Sequence, residues 1–476
     1  MTDLYATARQ MLADLAAKKV SARELLDRHV ARNDALHGKL NAVVARDLEH
    51  AQAAAKSIDD ARAHGAELGA LAGLPMTVKD GFDVTGMPAT CGNPAFAGRA
   101  KDCVDADMVN AVRKAGAVIW GKTNVPFMLS DFQTYNAIYG TTNNPYDTTR
   151  TPGGSSGGAA AALASAITPL EIGSDIGGSL RHPANFCGVC ALKPTWGALS
   201  QRGHIPPPPG AYYEVDLGVM GPMARNIGDL RLLWDVLHGK PATGPKPIAG
   251  LRVAVWDEEP GWHLDSEVRE AVDRASAALE KAGARVRPSK PDINGAHLMN
   301  FYRVLLMAII GSDLPEAFTR PLEGMRDSDR ALVRAGGDGA AEASTRLGMV
   351  ATYRDVAWAQ IERQACKDRM EDFFARHDAI VMPIAMVPAF PHQQEPAFTD
   401  RVLRVDNAQV PYPAMLDWIA PATVLHLPAV AVPAGRTRGG LPVGVQLVGP
   451  WGGEARLLDL AAALERETGG FAPPPL

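Results

Sequence analysis

Cysteine is scarce in this chain: five residues, Cys91, Cys103, Cys187, Cys190 and Cys366, in 476 positions. An odd and thinly spread set does not build a disulfide framework, and it predicts reduced thiols in a cytoplasmic protein. Cys187 and Cys190 form a CxxC within FCGVC. A structural metal takes about four ligands and no second pair lies nearby, so both thiols are read as packing, with no metal role. An excess of positive charge is missing too. Forty-eight Lys and Arg stand against 53 Asp and Glu, a formal net charge of −5, so no global field draws nucleic acid, and a small neutral substrate fits at least as well. Long apolar runs are absent. Stretches such as VLLMAIIG at 304–311 fall well short of the ~20 residues of a membrane span. The start, MTDLYATARQMLADLAAKKVSARELL, carries acids and lysines where a secretory signal has an unbroken apolar core. Aromatics are only 6% of the chain, whereas glycine (46) and proline (36) are plentiful, which predicts many tight turns and close backbone contacts.

Length alone admits two or three domains or one extended α/β domain. SARELLDRHVARNDAL, with Ser21 as a cap and Glu24 three positions on, and LEHAQAAAKSIDDARAHG read as helices, so residues 1–65 are expected to form an N-terminal helical cover. From 73 onward strand and helix signals alternate. GLPMTVKDGFDV enters a turn, DADMVNAVRKAGAVIWGKTN is a helix followed by a buried strand, and AAAALASA precedes the strand in TPLEIGSDIGG. Residues 66–476 are expected as one catalytic α/β/α domain, with a variable helical cover at about 294–377. Closing strands PAVAVPAG and LPVGVQLVGP lack clean alternation, which predicts a large mixed β-sheet with helices on both sides. PPPPG at 206–210 reads as a stiff loop.

The densest pattern is TPGGSSGGAAAALASAITPLEIGSDIGGSLR at 151–181. A nucleotide loop needs GxxxxGK[ST], and a dinucleotide fingerprint needs GxGxxG after a strand; neither is present. A flexible linker explains the glycine and serine but not the helix and strand signals between the two clusters. The third reading is a serine nucleophile whose base is not histidine. A hydroxyl attacks only when a neighbouring base takes its proton. A lysine serves only when neutral, and desolvation lowers its pKa from about 10.4 toward neutrality.

GLPMTVKD at 73–80, TPGGSSGGAAAALAS at 151–165 and GSDIGGSLRHPANFCGVCALKPTWG at 173–197 resemble, in order and spacing, the three core segments of the amidase signature family. The likeness continues through NPYDTTRTPGG, GPMAR at 221–225 and GLPVGVQLVGP at 440–450. The resemblance implies a single α/β/α fold around a mixed sheet and a Ser-cisSer-Lys triad. On that basis Lys79 is the base, Ser155 the bridging serine after a cis peptide, and Ser179 the nucleophile. The backbone N–H groups of Ile176, Gly177, Gly178 and Ser179 form the oxyanion hole, where loss of one donor costs roughly 3 kcal/mol. Asp175 and Arg181 hold the nucleophile loop, Ser156 is a structural hydroxyl, and none of the twelve histidines, His182 included, is needed.

The activity so implied is hydrolysis of a small aryl or aliphatic carboxamide to a carboxylate plus ammonia or amine through an acyl-enzyme, with no cofactor. Alternatives are a carbamate or ester hydrolase of the same family, the glutamine-hydrolysing subunit of a tRNA-dependent amidotransferase, which works with partner subunits, and a noncatalytic scaffold or binding subunit. Phe132, Tyr135, Tyr212 and Trp418 are candidate pocket residues that could stack on an aryl group. GHIPPPPGAYYEVDLGVMGP departs from the passage usual in the transfer subunits, and no basic stripe stands out. The expectation is therefore a monomer or homodimer with a small-molecule amide substrate, no nucleic acid, no membrane and no obligate heteromeric partner. PATVLHLPAVAVPAG also departs from NLAGLPAxxxPAG in relatives, with Thr423 and His426 at the Asn and Gly positions.

Overall fold

Strands rich in apolar residues without alternation must be covered on both faces. The computed structural model, which describes residues 3–99, 104–205, 214–240 and 244–476, is built around such a sheet. Cys103, the PPPPG stretch at 206–210 and Tyr212 lie outside the described residues.

β1 (Val43–Arg46), β2 (Pro75–Lys79) and β3 (Val118–Thr123) form a small sheet in the order β1-β3-β2, with β2 parallel and β1 antiparallel to β3. β4 (Tyr135–Asn136) and β5 (Gly140–Thr141) make a short hairpin. The main sheet takes β6 (Leu170–Asp175), β7 (Cys190–Lys193), β8 (Val219–Ala224), β9 (Arg252–Val255), β10 (Arg285–Pro288) and β11 (Ala379–Pro383). A second hairpin, β12 (Val402–Val405) with β13 (Ala408–Pro411), precedes its last strands, β14 (Ala429–Arg436) and β15 (Pro442–Val448). The eight strands run β10-β9-β11-β15-β14-β7-β8-β6, parallel across β10-β9-β11 and antiparallel beyond.

Successive side chains of a strand point to opposite faces, and here both faces are apolar. Val430 and Val432 of β14 enter one core, while Ala429 and Ala431 enter the other. Helices Ile227–His238, Ser266–Lys281 and Glu454–Thr468 close the first face through residues such as Leu233, Val272 and Leu457. Helices Gly157–Ala164, Arg181–Cys187, Gly295–Ile310 and Tyr353–Phe374 close the second. The expected mixed α/β sheet with helices on both sides is thus present.

In the first 65 residues the two expected helices appear as Ala22–Leu40, with a reciprocal capping box between Ser21 and Glu24, and Leu48–Ala63. A third helix, Ala8–Ala16, and strand β1 accompany them, and Met11 and Leu25 share a core with Val118 and Trp120 of β3. Residues 295–374 fold into five α-helices. Cys91, Cys187, Cys190 and Cys366 are buried free thiols, and no metal-ligating group of side chains occurs among the described residues. No described helix is long and apolar enough to cross a membrane.

The run GGAAAALA lets its helix lie directly on the chain leaving β3. A Cβ on Gly158 would stand 2.4 Å from the backbone N of Asn124 and 2.6 Å from its O. Gly158→Ala is therefore expected to cost ~1–3 kcal/mol of stability through overpacking. Gly38→Ala, in a helix with no atom within 4 Å of the new methyl, should add up to about 1 kcal/mol. Thermal or denaturant unfolding of the two variants checks the contrast.

Candidate active site

Lys79 is the last residue of β2, a strand whose five residues are all buried, and its own exposure is 0%. The amine ends among hydroxyls and a carbonyl rather than carboxylates. Nζ lies 2.8 Å from Ser155 Oγ, 2.9 Å from Ser174 Oγ and 3.3 Å from the Ser174 carbonyl oxygen. Burial, which disfavours the charged form, pulls the Lys79 pKa down to about 7 against the smaller opposing pull of Cys91, Asp175 and Glu171.

Ser155 follows a cis Gly154–Ser155 peptide, at the turn into helix Gly157–Ala164. The glycines around it are set by contact. A Cβ on Gly154 would lie 2.3 Å from the Asp131 carbonyl oxygen, and one on Gly157 would lie 2.2 Å from Thr134 Oγ1. Ser156 N–H donates to the Ser179 carbonyl at 3.2 Å, and Ser156 Oγ sits 3.5 Å from the Ser174 carbonyl, so the two serine-bearing segments are tied through backbone groups. Ser179 itself is 7% exposed. No hydrogen bond joins the hydroxyls of Ser155 and Ser179 in this conformation.

The loop between β6 and helix Arg181–Cys187 wraps a buried ion pair. Asp175 accepts from Arg181 Nε and Nη2 at 3.0 and 2.9 Å, and from the N–H groups of Gly178 and Leu180 at 2.9 and 3.1 Å. Burial alone would raise the Asp175 pKa, but the Arg181 guanidinium and these donors hold it well below the usual carboxylate range. The Gly178 N–H, expected in the oxyanion hole, is therefore already committed to Asp175. Those of Ile176, Gly177 and Ser179 make no hydrogen bond among the described residues. Gly178 has φ +93°, and a Cβ there would meet the His182 ring at 2.6 Å. His182 is fully buried, with burial pulling its pKa down to about 3.

The three aromatic candidates among the described residues, Phe132, Tyr135 and Trp418, each have partners of their own. Phe132 packs edge-on to His182 at 5.2 Å and beside Tyr412 at 5.3 Å. The Tyr135 hydroxyl accepts from Arg401 at 2.7 Å and donates to Asp131 at 3.2 Å. Trp418 is a core side chain whose Nε1–H donates to the His263 carbonyl at 2.8 Å. Two further side chains come near the nucleophile loop. A Cβ on Gly177 would lie 3.3 Å from Leu416 and 3.9 Å from the Tyr302 hydroxyl, which donates to the Ile176 carbonyl at 3.0 Å. Their chain neighbours Asp417 and Arg303 form a largely buried pair at 3.7 Å. Burial pushes the Asp417 pKa up to about 7 despite Arg303.

Two residues beside Lys79 carry no sign in the sequence of being there. Ser174 is on the motif strand, five residues before Ser179, but its hydroxyl reads as scaffold until β2 is laid beside β6. His204 is one of the twelve histidines expected to be dispensable, yet its Nε2 lies 2.8 Å from Ser174 Oγ. No local pattern marks it, because only the pairing of Phe82 with His204 brings it in.

A family model described as Amidase matches residues 24–458. Curated relatives include a glutamyl-tRNA(Gln) amidotransferase subunit from Acidothermus cellulolyticus, 34% identical over 98% of this chain and 95% of that protein. Among solved structures, one from work on a vestigial protein complex and the origins of an s-triazine catabolic enzyme has a TM-score of 0.80 at 29% identity, covering 99% of this chain and 100% of that one. Another, 6-aminohexanoate cyclic dimer hydrolase complexed with substrate, has a TM-score of 0.78 at 26% identity, covering 100% and 99%. The first relative is by name one subunit of an enzyme of glutamyl-tRNA(Gln). That overturns the expectation of no nucleic acid and no obligate heteromeric partner. The physical reason is that net charge reports on contacts a chain makes itself, not on those made by subunits it works with.

The environment of Lys79 sets a pH dependence. Below about pH 7 its amine is charged and has no lone pair to offer, and above it the amine is neutral. Hydrolysis by the chain should fall as pH drops through about 7 and level off above, and Lys79→Met should lower the plateau ~10²–10⁴-fold. Arg181→Met, which strands a buried carboxylate, should cost ~3–5 kcal/mol in denaturant unfolding.

Proposed function

Because this chain belongs to the amidase family, we propose that it cleaves a carboxamide C–N bond through an acyl-enzyme on Ser179. The observation that carries this reading is the buried Lys79 amine, with its pKa lowered to about 7, 2.8 Å from the Ser155 hydroxyl. Neutral Lys79 takes the Ser155 proton while Ser155 takes that of Ser179, whose oxygen bonds to the substrate carbonyl carbon. The charge that develops on the carbonyl oxygen is met by the N–H groups of Ile176, Gly177 and Ser179. The proton returns along the same path to the leaving nitrogen as the C–N bond breaks. Water then adds to the ester and gives a proton to the relay, which returns it to the Ser179 oxygen as the C–O bond breaks, and the acid released ionises to the carboxylate. Ser155 and Ser179 come into hydrogen-bond contact when substrate fills the loop, since catalytic hydrogen bonds often tighten only in the loaded site.

For the acyl group, the amidotransferase relative favours the side-chain amide of glutamine, with ammonia passed to partner subunits that hold the tRNA-bound acceptor. To the ammonium and carboxylate of a free amino acid we assign the Asp417–Arg303 pair, whose members are each next in sequence to a side chain near Gly177. A second reading, a small aryl or aliphatic carboxamide, is favoured by the likeness to 6-aminohexanoate cyclic dimer hydrolase along the full chain.

Ammonia release from glutamine and from neutral aliphatic and aryl carboxamides, with Ser179→Ala as the blank, tests both readings. Glutamine should be turned over. Asp417→Asn should raise its KM roughly tenfold more than that of a neutral amide, the scale of a lost charged hydrogen bond. Preference for neutral amides in wild type would select the second reading, and undiminished turnover by Ser179→Ala would remove the mechanism.

A further inference from the structure

A neutral amine has three hydrogen-bonding valences, two N–H donors and one lone pair, and Lys79 has three heteroatoms in reach. The Ser174 carbonyl can only accept, so it takes one N–H. Ser155 Oγ and Ser174 Oγ then share one N–H and the lone pair, in one of two ways. If Ser155 donates to the lone pair, the base is connected to the relay. If Ser174 donates instead, Ser155 is left as an acceptor and the relay is broken at its first link.

The direction of the Ser174 O–H decides between them, and one other acceptor faces that hydroxyl: His204 Nε2 at 2.8 Å. The ring is anchored to the segment that carries Lys79. His204 bridges Phe82, the Ile205 N–H donates to the Gly81 carbonyl at 2.8 Å, the Asp83 N–H donates to the Gly203 carbonyl at 2.8 Å, and the Phe82 ring lies edge-on at 5.0 Å. Gly81 leaves room for it, since a Cβ there would sit 3.1 Å from Nε2. Of the charged and titratable groups around the ring, Lys79 faces it through Ser174. Asp80 is turned to Lys122 at 2.7 Å and to Thr90, Asp175 is bound by Arg181, and Cys91 points its thiol to the Ile205 carbonyl. Burial and then Lys79 lower the pKa of the ring to about 3, so it is a neutral imidazole and too weak a base to serve Ser179 directly.

We infer that His204 is a positioning residue: by accepting the Ser174 hydroxyl proton at Nε2, it turns that hydroxyl away from Lys79 and reserves the lysine lone pair for Ser155. This rests on the Lys79–Ser155–Ser179 reading above and adds a fourth and fifth side chain to it.

The test uses the full chain and a fluorophosphonate probe, whose phosphorus takes the Ser179 oxygen as fluoride leaves and the proton enters the relay. Ser179→Ala and Lys79→Met set the zero. His204→Leu, which removes the acceptor, should slow labelling roughly tenfold, a fraction of what a general base supplies. His204→Gln, which returns an acceptor oxygen near the place of Nε2, should restore at least a third of the wild-type rate. In the Ser174→Ala background, where there is no hydroxyl to turn, His204→Leu should have no further effect. The plateau of the pH–rate curve should drop in His204→Leu while its inflection stays near 7. If His204→Leu does not fold, His204→Asn, whose acceptor stops short of Ser174, replaces it. Wild-type labelling by the acceptor-free variant, an equal loss in the Ser174→Ala background, failure of Gln to rescue a folded protein, or a moved inflection would each overturn the inference. Labelling that persists in Lys79→Met would instead strike the underlying mechanism.

Discussion

One desolvated amine organises this molecule. Lys79 and Lys122 are both fully buried, on neighbouring strands β2 and β3, and the chain treats them oppositely. Lys122 has Asp80 at 2.7 Å and two carbonyl oxygens at 2.7 Å, the surroundings of a paired cation. Lys79 has two hydroxyls and a carbonyl, and no ion-pair partner among the described residues. Removing a cation from water without pairing it favours the neutral form, so the two sites differ in what surrounds the nitrogen rather than in depth. The motif acid Asp175 is bound by Arg181 rather than by Lys79.

That pairing explains much of the loop. A guanidinium has five N–H donors, and in Arg181 all five are used: two on Asp175, and one each on the Ile419 carbonyl, Gln446 Oε1 and Thr423 Oγ1. The departure at Thr423 from the Asn of relatives therefore keeps an oxygen acceptor where the arginine needs one. At His426, the other departure, a ring replaces a glycine and finds partners of its own, with Nε2 2.7 Å from Asp216 and the ring stacked on Trp196 at 4.9 Å. Asp175, fixed from two sides, takes the Gly178 N–H in turn and leaves those of Ile176, Gly177 and Ser179 without a hydrogen bond among the described residues.

How much of this was legible in the sequence follows the range of the forces involved. The strand ending in Lys79, the paired serines and the DIGGS turn are local, and their glycine spacing identifies both family and architecture. The mixed sheet was legible because strands buried on both faces cannot alternate. Contacts between distant segments were not. His204 reaches the cluster through a bridge to Phe82, 122 positions earlier in the sequence. The Gly178 amide looks available in the motif, and only the fold sets the Asp175 carboxylate against it. Trp418 looks like a stacking surface because sequence shows a ring and not its neighbours, and in the fold it packs edge-on to Trp262 at 5.0 Å, inside the core.

The same division separates chemistry from biological setting. The residues proposed for amide cleavage, a base, two hydroxyls and a run of N–H groups, all lie in short motifs. Pairs such as Arg303 and Asp417, by contrast, come from segments far apart in sequence and meet only in the fold. A net charge of −5 carries little weight on whether a tRNA takes part. Nucleic-acid affinity is set by the phosphate contacts of the chain that makes them, and in a multi-subunit enzyme the ammonia source and the nucleic-acid holder can be different chains. A globally acidic hydrolytic subunit is compatible with a nucleic-acid-dependent enzyme for that reason, and composition is the wrong level at which to decide the question.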